Sequence, residues 1–181
     1  FSMAAFDDMY GQVVTVNGVS KSFAMTGWRL GYIGAPNWLA KACTKIQGQF
    51  TSGTSGISQR AAIAAIAANP DVVKEMKSAF LKRRDFVLNA LSNIPGIKIN
   101  EPKGAFYVFP DISFFFNKSF GKYNIQNADD LTMYILETAK VALVTGNAFG
   151  SPNCLRISYA SSLDNLKLAM ERIASSLNQL E

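Results

Sequence analysis

From Asp71 to about Ser92 the chain reads as one long helix, with Val72, Met76, Ala79, Phe80, Phe86, Val87 and Leu91 recurring at helical spacing. Beyond Pro95-Gly96 the texture changes, so this helix separates two differently patterned stretches. Upstream, Val13 to Val16 and Leu30 to Ala35 read as short strands, the second stopped by Pro36. Asn37 is expected to cap a helix running to about Gln49. The run Thr51-Ser52-Gly53-Thr54-Ser55-Gly56 reads as a loop, and the Ala/Ile stretch from about Ser58 to Ala68 as a helix ended by Asn69-Pro70. Downstream, strands are expected at Ile97 to Asn100, Ala105 to Phe109, Val141 to Val144 and Leu155 to Tyr159, with helices at Asp129 to Thr138 and Leu163 to Leu177. Such an order predicts an α/β chain in which residues 1–78 end one layered domain and residues 79–181 form a smaller α+β domain. A length of 181 residues suits that division.

Composition narrows the chemistry. The chain has no histidine, which removes Ser-His-Asp, Cys-His and His-ligated metal sites and leaves acid-base work to lysine, carboxylates or tyrosine. Two cysteines, Cys43 and Cys154, are too few for a disulfide framework or a four-sulfur zinc site, so no metal is expected and a reduced, cytoplasmic setting is. Cys43 reads as a buried small hydrophobe. The longest apolar run, Ala61 to Ala68, falls far short of the ~18 residues of a membrane helix, so a soluble protein without a membrane partner is expected. The net charge is +5, and its densest run, Lys82-Arg83-Arg84, reads as a solvated helix face rather than a nucleic-acid footprint. Acidic small molecules suit this charge at least as well.

The segment Val16-Asn17-Gly18-Val19-Ser20-Lys21-Ser22-Phe23-Ala24-Met25-Thr26-Gly27-Trp28-Arg29-Leu30-Gly31-Tyr32 is the densest constellation. A lysine follows an apolar strand, and an arginine stands eight residues later at the head of the next. A desolvated lysine can attack a carbonyl, and arginine offers a planar fork to a phosphate. Taken as residues alone, a turn lysine and an arginine lying along apolar surface explain the pair better. Turn packing and strand burial likewise account for Ser20, Ser22, Trp28 and Tyr32, and alternating aromatics such as Phe106 and Tyr107 are usual in a core strand.

The wording from Ser20 to Tyr32 resembles the lysine motif of the class I pyridoxal-phosphate-dependent aminotransferases, most closely the prokaryotic-type aspartate aminotransferases. The resemblance continues in order through Gly104-Ala105-Phe106-Tyr107-Val108-Phe109-Pro110 and Cys154-Leu155-Arg156-Ile157-Ser158-Tyr159-Ala160, and so spans the chain. It implies the C-terminal part of a fold type I transferase: the end of the large cofactor-binding domain over 1–78 and the whole small domain over 79–181. It also implies that Lys21 forms the Schiff base with pyridoxal 5'-phosphate, that Arg29 binds the cofactor phosphate, and that Arg156 binds the substrate α-carboxylate. In parts of the wider superfamily a hydroxyl three positions before the lysine also holds the phosphate; here Gly18 stands there.

These roles suit the residue types. A lysine can act both as covalent anchor and as proton shuttle, while a phosphate dianion and a carboxylate each favour a bidentate guanidinium. The function implied is exchange of an amino group between an amino acid, aspartate by resemblance, and a 2-oxo acid. Family members are about twice as long, so an N-terminal half holding the partner of the pyridine nitrogen is expected elsewhere, with the complete protein a homodimer and the isolated chain inactive. The alternatives are an aminotransferase of other amino-acid specificity and an aminotransferase-like ligand-sensing domain of a transcriptional regulator.

Overall fold

Residues 2–181 are described by a computed structural model of mixed α/β architecture. It divides into two compact units, the first ending at Glu75 and the second running Met76–Glu181.

In the first unit, strands β1 (Thr15–Gly18) and β2 (Gly31–Gly34) pair antiparallel, Thr15 opposite Gly34 and Gly18 opposite Gly31. The pair lies within one to two residues of the strands expected from sequence, and among the described residues it stands as a two-stranded antiparallel ladder. The strands are joined by residues 19–30, which hold the one-turn helix α1 (Val19–Ser22) and a 3-10 turn at Thr26–Trp28. Helices α2 (Asn37–Phe50) and α3 (Gly56–Ala67) follow at the places expected. Asn37 is the first helical residue rather than the cap, because Pro36, in extended conformation, takes the cap position.

Val19 and Ala62 are the buried hydrophobic side chains among the described residues of this unit. Phe50, Ile57 and Trp38 stand 84%, 77% and 71% exposed, so the apolar faces of α2 and α3 are largely bare among the described residues. The helix patterns were legible, but Trp28, Tyr32 and Cys43 are exposed and not buried as expected.

The second unit has a core of its own. The long helix starts as a 3-10 turn, Pro70–Val73, since Pro70 has no N–H to give and the Asn69 carboxamide oxygen caps Asp71 N–H at 2.9 Å. It continues as α4 (Lys74–Ser92), which buries Val87 and Leu91. Strands β3 (Tyr107–Val108), β6 (Val144–Thr145) and β7 (Leu155–Ser158) make an antiparallel sheet in the order β3-β7-β6. The strand expected at Ile97 to Asn100 is reduced to a bridge between Lys98 and Asp111, and that at Val141 to Val144 to its last residue and Thr145. A hairpin of β4 (Lys118–Phe120) and β5 (Tyr123–Ile125) was not expected; Gly121, with φ of 56°, makes its two-residue turn possible.

Helices α5 (Ala128–Ala139) and α6 (Leu163–Leu177) cover this sheet's core side. Each has a side-chain cap: Asn127 accepts from the N–H groups of Asp129 and Asp130, and Ser162 from that of Asn165. Leu131, Tyr134 and Ile135 of α5 meet Leu166, Met170, Ile173 and Leu177 of α6, with spacings of three and four residues that place each set on one helix face. Full burial of each such aliphatic side chain contributes ~1.5–3 kcal/mol. No helix among the described residues is long and apolar enough to cross a membrane.

Candidate active-site residues

Lys21 sits in the last turn of α1, within the connection from β1 to β2. The turn is seated by Val19, which is fully buried, while the Lys21 side chain is exposed. At the mouth of the connection the two strands approach through glycine: a Cβ on Gly18 would stand 3.3 Å from the Leu30 carbonyl oxygen, and one on Gly31 3.3 Å from that of Asn17. Such contacts are tighter than side chains normally accept, so the register that closes the loop needs small residues there.

Two non-glycine residues of this loop, Ala24 and Arg29, hold left-handed backbone, with φ of 53° and 51°. Each costs on the order of 1 kcal/mol or more and concentrates strain next to Lys21, a pattern typical of ligand-binding loops. Arg29 closes the 3-10 turn, and its guanidinium donates to the Thr26 carbonyl at 2.9 Å. That bond engages one of five N–H donors, and among the described residues no carboxylate lies within ion-pair distance.

Arg156 belongs to the second unit, and its surroundings are built by strand alternation. Leu155 and Ile157 point into the core, so Arg156 emerges on the opposite face of β7. Tyr107 is paired with Ser158, two residues on and therefore on the Arg156 face, which brings the ring diagonally against the guanidinium. The guanidinium carbon lies 4.5 Å from the Tyr107 ring centroid and 4.5 Å from that of Phe149. No acidic group is within ion-pair distance of Arg156 among the described residues, so aromatic faces, rather than a carboxylate, surround the cation.

Lys21 and Arg29 thus share one loop, while Arg156 occupies a separate sheet face in the other unit. The sequence reading left Tyr107 as a core aromatic and did not single out Phe149. The signal for Tyr107 was its place beside Phe106, whose ring lies 4.3 Å from that of Tyr107 and 6.1 Å from that of Phe80. Phe149 carried no such signal, because its contact depends on how the Gly146–Phe149 turn folds back.

Arg84 also departs from expectation. It is not part of a solvated face: its guanidinium binds Asp85 at 2.7 Å and Glu101 at 3.2 Å and donates to the Pro102 carbonyl at 3.2 Å. The contacts to Glu101 and Pro102 fasten the loop leading into β3 to α4, and the Tyr159 hydroxyl holds the same loop by donating to the Ala105 carbonyl at 3.0 Å. The Asp85 bond pushes the Arg84 pKa further up, and burial raises those of the Tyr159 hydroxyl and the Cys154 thiol. Cys154 is thereby a poor nucleophile.

Comparison with known proteins places these elements in a family. Residues 1–173 match the family model described as aminotransferase class I and II. A bifunctional aspartate aminotransferase and glutamate/aspartate-prephenate aminotransferase of Petunia hybrida is 48% identical over 97% of this chain and 38% of its own length. The crystal structure of an aspartate aminotransferase from Rhizobium meliloti superposes with a TM-score of 0.89 at 46% identity, over 93% of this chain and 42% of that one. An aromatic aminotransferase from Pyrococcus horikoshii superposes equally well, with a TM-score of 0.89 at 36% identity over 98% of this chain and 46% of that one. The chain spans about two fifths of the length of the curated relatives it matches, and its mixed α/β architecture is a portion of their fold type I structure. On the extent of the family match and these identities together, the chain belongs to the class I and II aminotransferases.

Proposed function

We propose that this chain is part of an enzyme that exchanges an amino group between aspartate and a 2-oxo acid, with pyridoxal 5'-phosphate bound at Lys21 and Arg29. The observation that carries the proposal is the loop between β1 and β2, which holds a primary amine and a guanidinium fork within one strained, glycine-closed connection. The donor set fits the group: an amine for the aldehyde, and for the phosphate dianion an arginine with no carboxylate partner among the described residues. When bound, pyridoxal phosphate supplies the electron sink that makes the substrate α-carbon acidic.

The chain's own residues do the rest. Lys21 Nζ would hold the cofactor covalently and, once released, would take and return the proton of the substrate α-carbon. Arg29 holds the phosphate end in place. Arg156 takes the α-carboxylate in a two-pronged bond. The names of the Petunia and Rhizobium relatives support aspartate as the amino acid, while the equally good superposition on an aromatic aminotransferase favours, as the second reading, another amino-acid side chain in the same reaction.

We place the complete protein in the cytoplasm as a homodimer; the free thiols of Cys43 and Cys154 support the compartment, and the bare apolar faces of α2 and α3 support a partner surface. The test is Lys21→Ala in the full-length protein. After dialysis it should lose the visible cofactor band and nearly all transfer from aspartate to 2-oxoglutarate; a cofactor still fixed to the variant by borohydride reduction would overturn the assignment.

A further inference from the structure

The turn Gly146–Phe149 is built more rigidly than a surface connection requires. The Thr145 hydroxyl accepts from Asn147 N–H at 3.3 Å, and the Asn147 carboxamide donates to the Asp129 carboxylate at 2.7 Å, tying the turn to the start of α5. Gly146 N–H donates to the Cys154 carbonyl at 2.8 Å, and Ser151 N–H to the Gly146 carbonyl at 3.0 Å. A Cβ at Gly146 would collide with the carbonyl oxygens of both Ser151 and Cys154, so only glycine permits this closure. Gly150, with φ of 74°, ends it in left-handed backbone.

What the turn carries is Phe149. Its side chain is 48% exposed, so core formation does not explain its placement. Its ring lies edge-on to Phe109 at 5.9 Å and with its face toward the Arg156 guanidinium at 4.5 Å. Aromatic faces attract a cation without occupying its N–H donors as a carboxylate would, and they displace water from it. A guanidinium flanked by Tyr107 and Phe149 is therefore held in one orientation with its donor fork unspent, the state that loses least freedom when a carboxylate binds.

We infer that Phe149 is a positioning residue for substrate carboxylates, acting through the orientation of Arg156; the inference rests on Arg156 being the carboxylate site. Because the amino acid and the 2-oxo acid present the same carboxylate, both half-reactions depend on it equally.

The experiment titrates the full-length, cofactor-loaded protein with succinate, a carboxylate probe without an amino group, in wild type and in the Phe149→Leu, Phe149→Tyr and Arg156→Ala variants. Phe149→Leu keeps an apolar side chain but removes the aromatic face. It should weaken succinate binding and raise KM for both substrates about three- to thirty-fold, with kcat changed less, the cofactor band retained and the melting temperature near that of wild type. Phe149→Tyr should restore affinity. Unchanged affinity in Phe149→Leu, or equal weakening in Leu and Tyr variants, overturns the inference while leaving the role of Arg156 intact if Arg156→Ala has lost succinate. Undiminished succinate binding by Arg156→Ala overturns the reading beneath it, and the inference with it.

Discussion

The hydroxyl of Tyr134, on α5, donates to the backbone carbonyl of Ser176, on α6, at 2.7 Å in the interior of the second unit. Thr138 and Ser176 add a hydroxyl pair at 3.1 Å beside it. Tyr134→Phe removes one donor to the Ser176 carbonyl, the Gln179 N–H at 3.1 Å remaining, and is expected to cost ~0.5–1.5 kcal/mol, since one hydrogen bond is lost while little volume changes. Amide hydrogen exchange along α5 and α6 of the full-length protein measures it, and unaltered protection in both helices would contradict the account.

Asp111 titrates below the usual carboxylate range because it accepts from the Ser113 hydroxyl at 2.7 Å and from Ser113 N–H at 2.8 Å, with Lys98 nearby. Its folded pKa is depressed relative to the unfolded chain. The stabilisation is therefore full above the unfolded value, about 3.9, and is lost as pH falls through the folded pKa. Glu137, lowered by the Tyr123 hydroxyl at 2.6 Å, works in the same direction. Asp111→Asn should flatten the acid limb of the second unit's stability curve; a curve parallel to that of wild type would show that Asp111 is not a source.

The two arginines should fail in different steps. Arg29→Ala is expected to lose cofactor on dialysis, whereas Arg156→Ala should keep the visible band and bind carboxylates poorly. Truncating one partner of a desolvated charged pair costs ~2–5 kcal/mol, about 30-fold to several-thousand-fold in affinity. A structural ion pair at Arg156 predicts a lower melting temperature with normal Michaelis constants instead. Cofactor retention by absorbance and thermal melts, run on both variants, separate the cases.

As an isolated polypeptide the 181 residues should self-associate, because Trp38, Phe50 and Ile57 present large apolar surface left exposed among the described residues. Light scattering across a concentration series checks this, and replacing Phe50 and Ile57 by Lys should shift the chain toward monomer. It should also lack measurable transamination; turnover by the isolated chain would remove the need for residues outside it.

Long periodic helices were legible in the sequence because their pattern repeats over many turns: α4, α5 and α6 fall where spacing put them. Short strands were legible unevenly: β2 and β7 fall inside the expected ranges, whereas the β4–β5 hairpin was missed and the strand at Val144 was displaced, since length and pairing are settled by partners distant in the chain, as with Val144 opposite Arg156. Lys21, Arg29 and Arg156 could be singled out through their surrounding wording. The neighbours that shape Arg156 could not be found that way: Tyr107 is 49 positions away along the chain, and Phe149 reaches it through a folded-back turn. Exposure in the first unit was misjudged for a related reason, as apolar pattern reports what must be covered and not whether this chain does the covering.

The shortage of burial around Val19 and Ala62 links occupancy to folding. A ligand that binds only the folded form adds RT ln(1 + [L]/Kd), or ~2.7 kcal/mol at a hundredfold excess over Kd. A cofactor held at Lys21 and Arg29, as proposed, would contribute this to the unit that has least of its own to lose. Its departure would therefore loosen residues up to Glu75 first, while the second unit, with its separate core, keeps its protection; the two halves of one chain would report cofactor supply as a difference in how readily each opens.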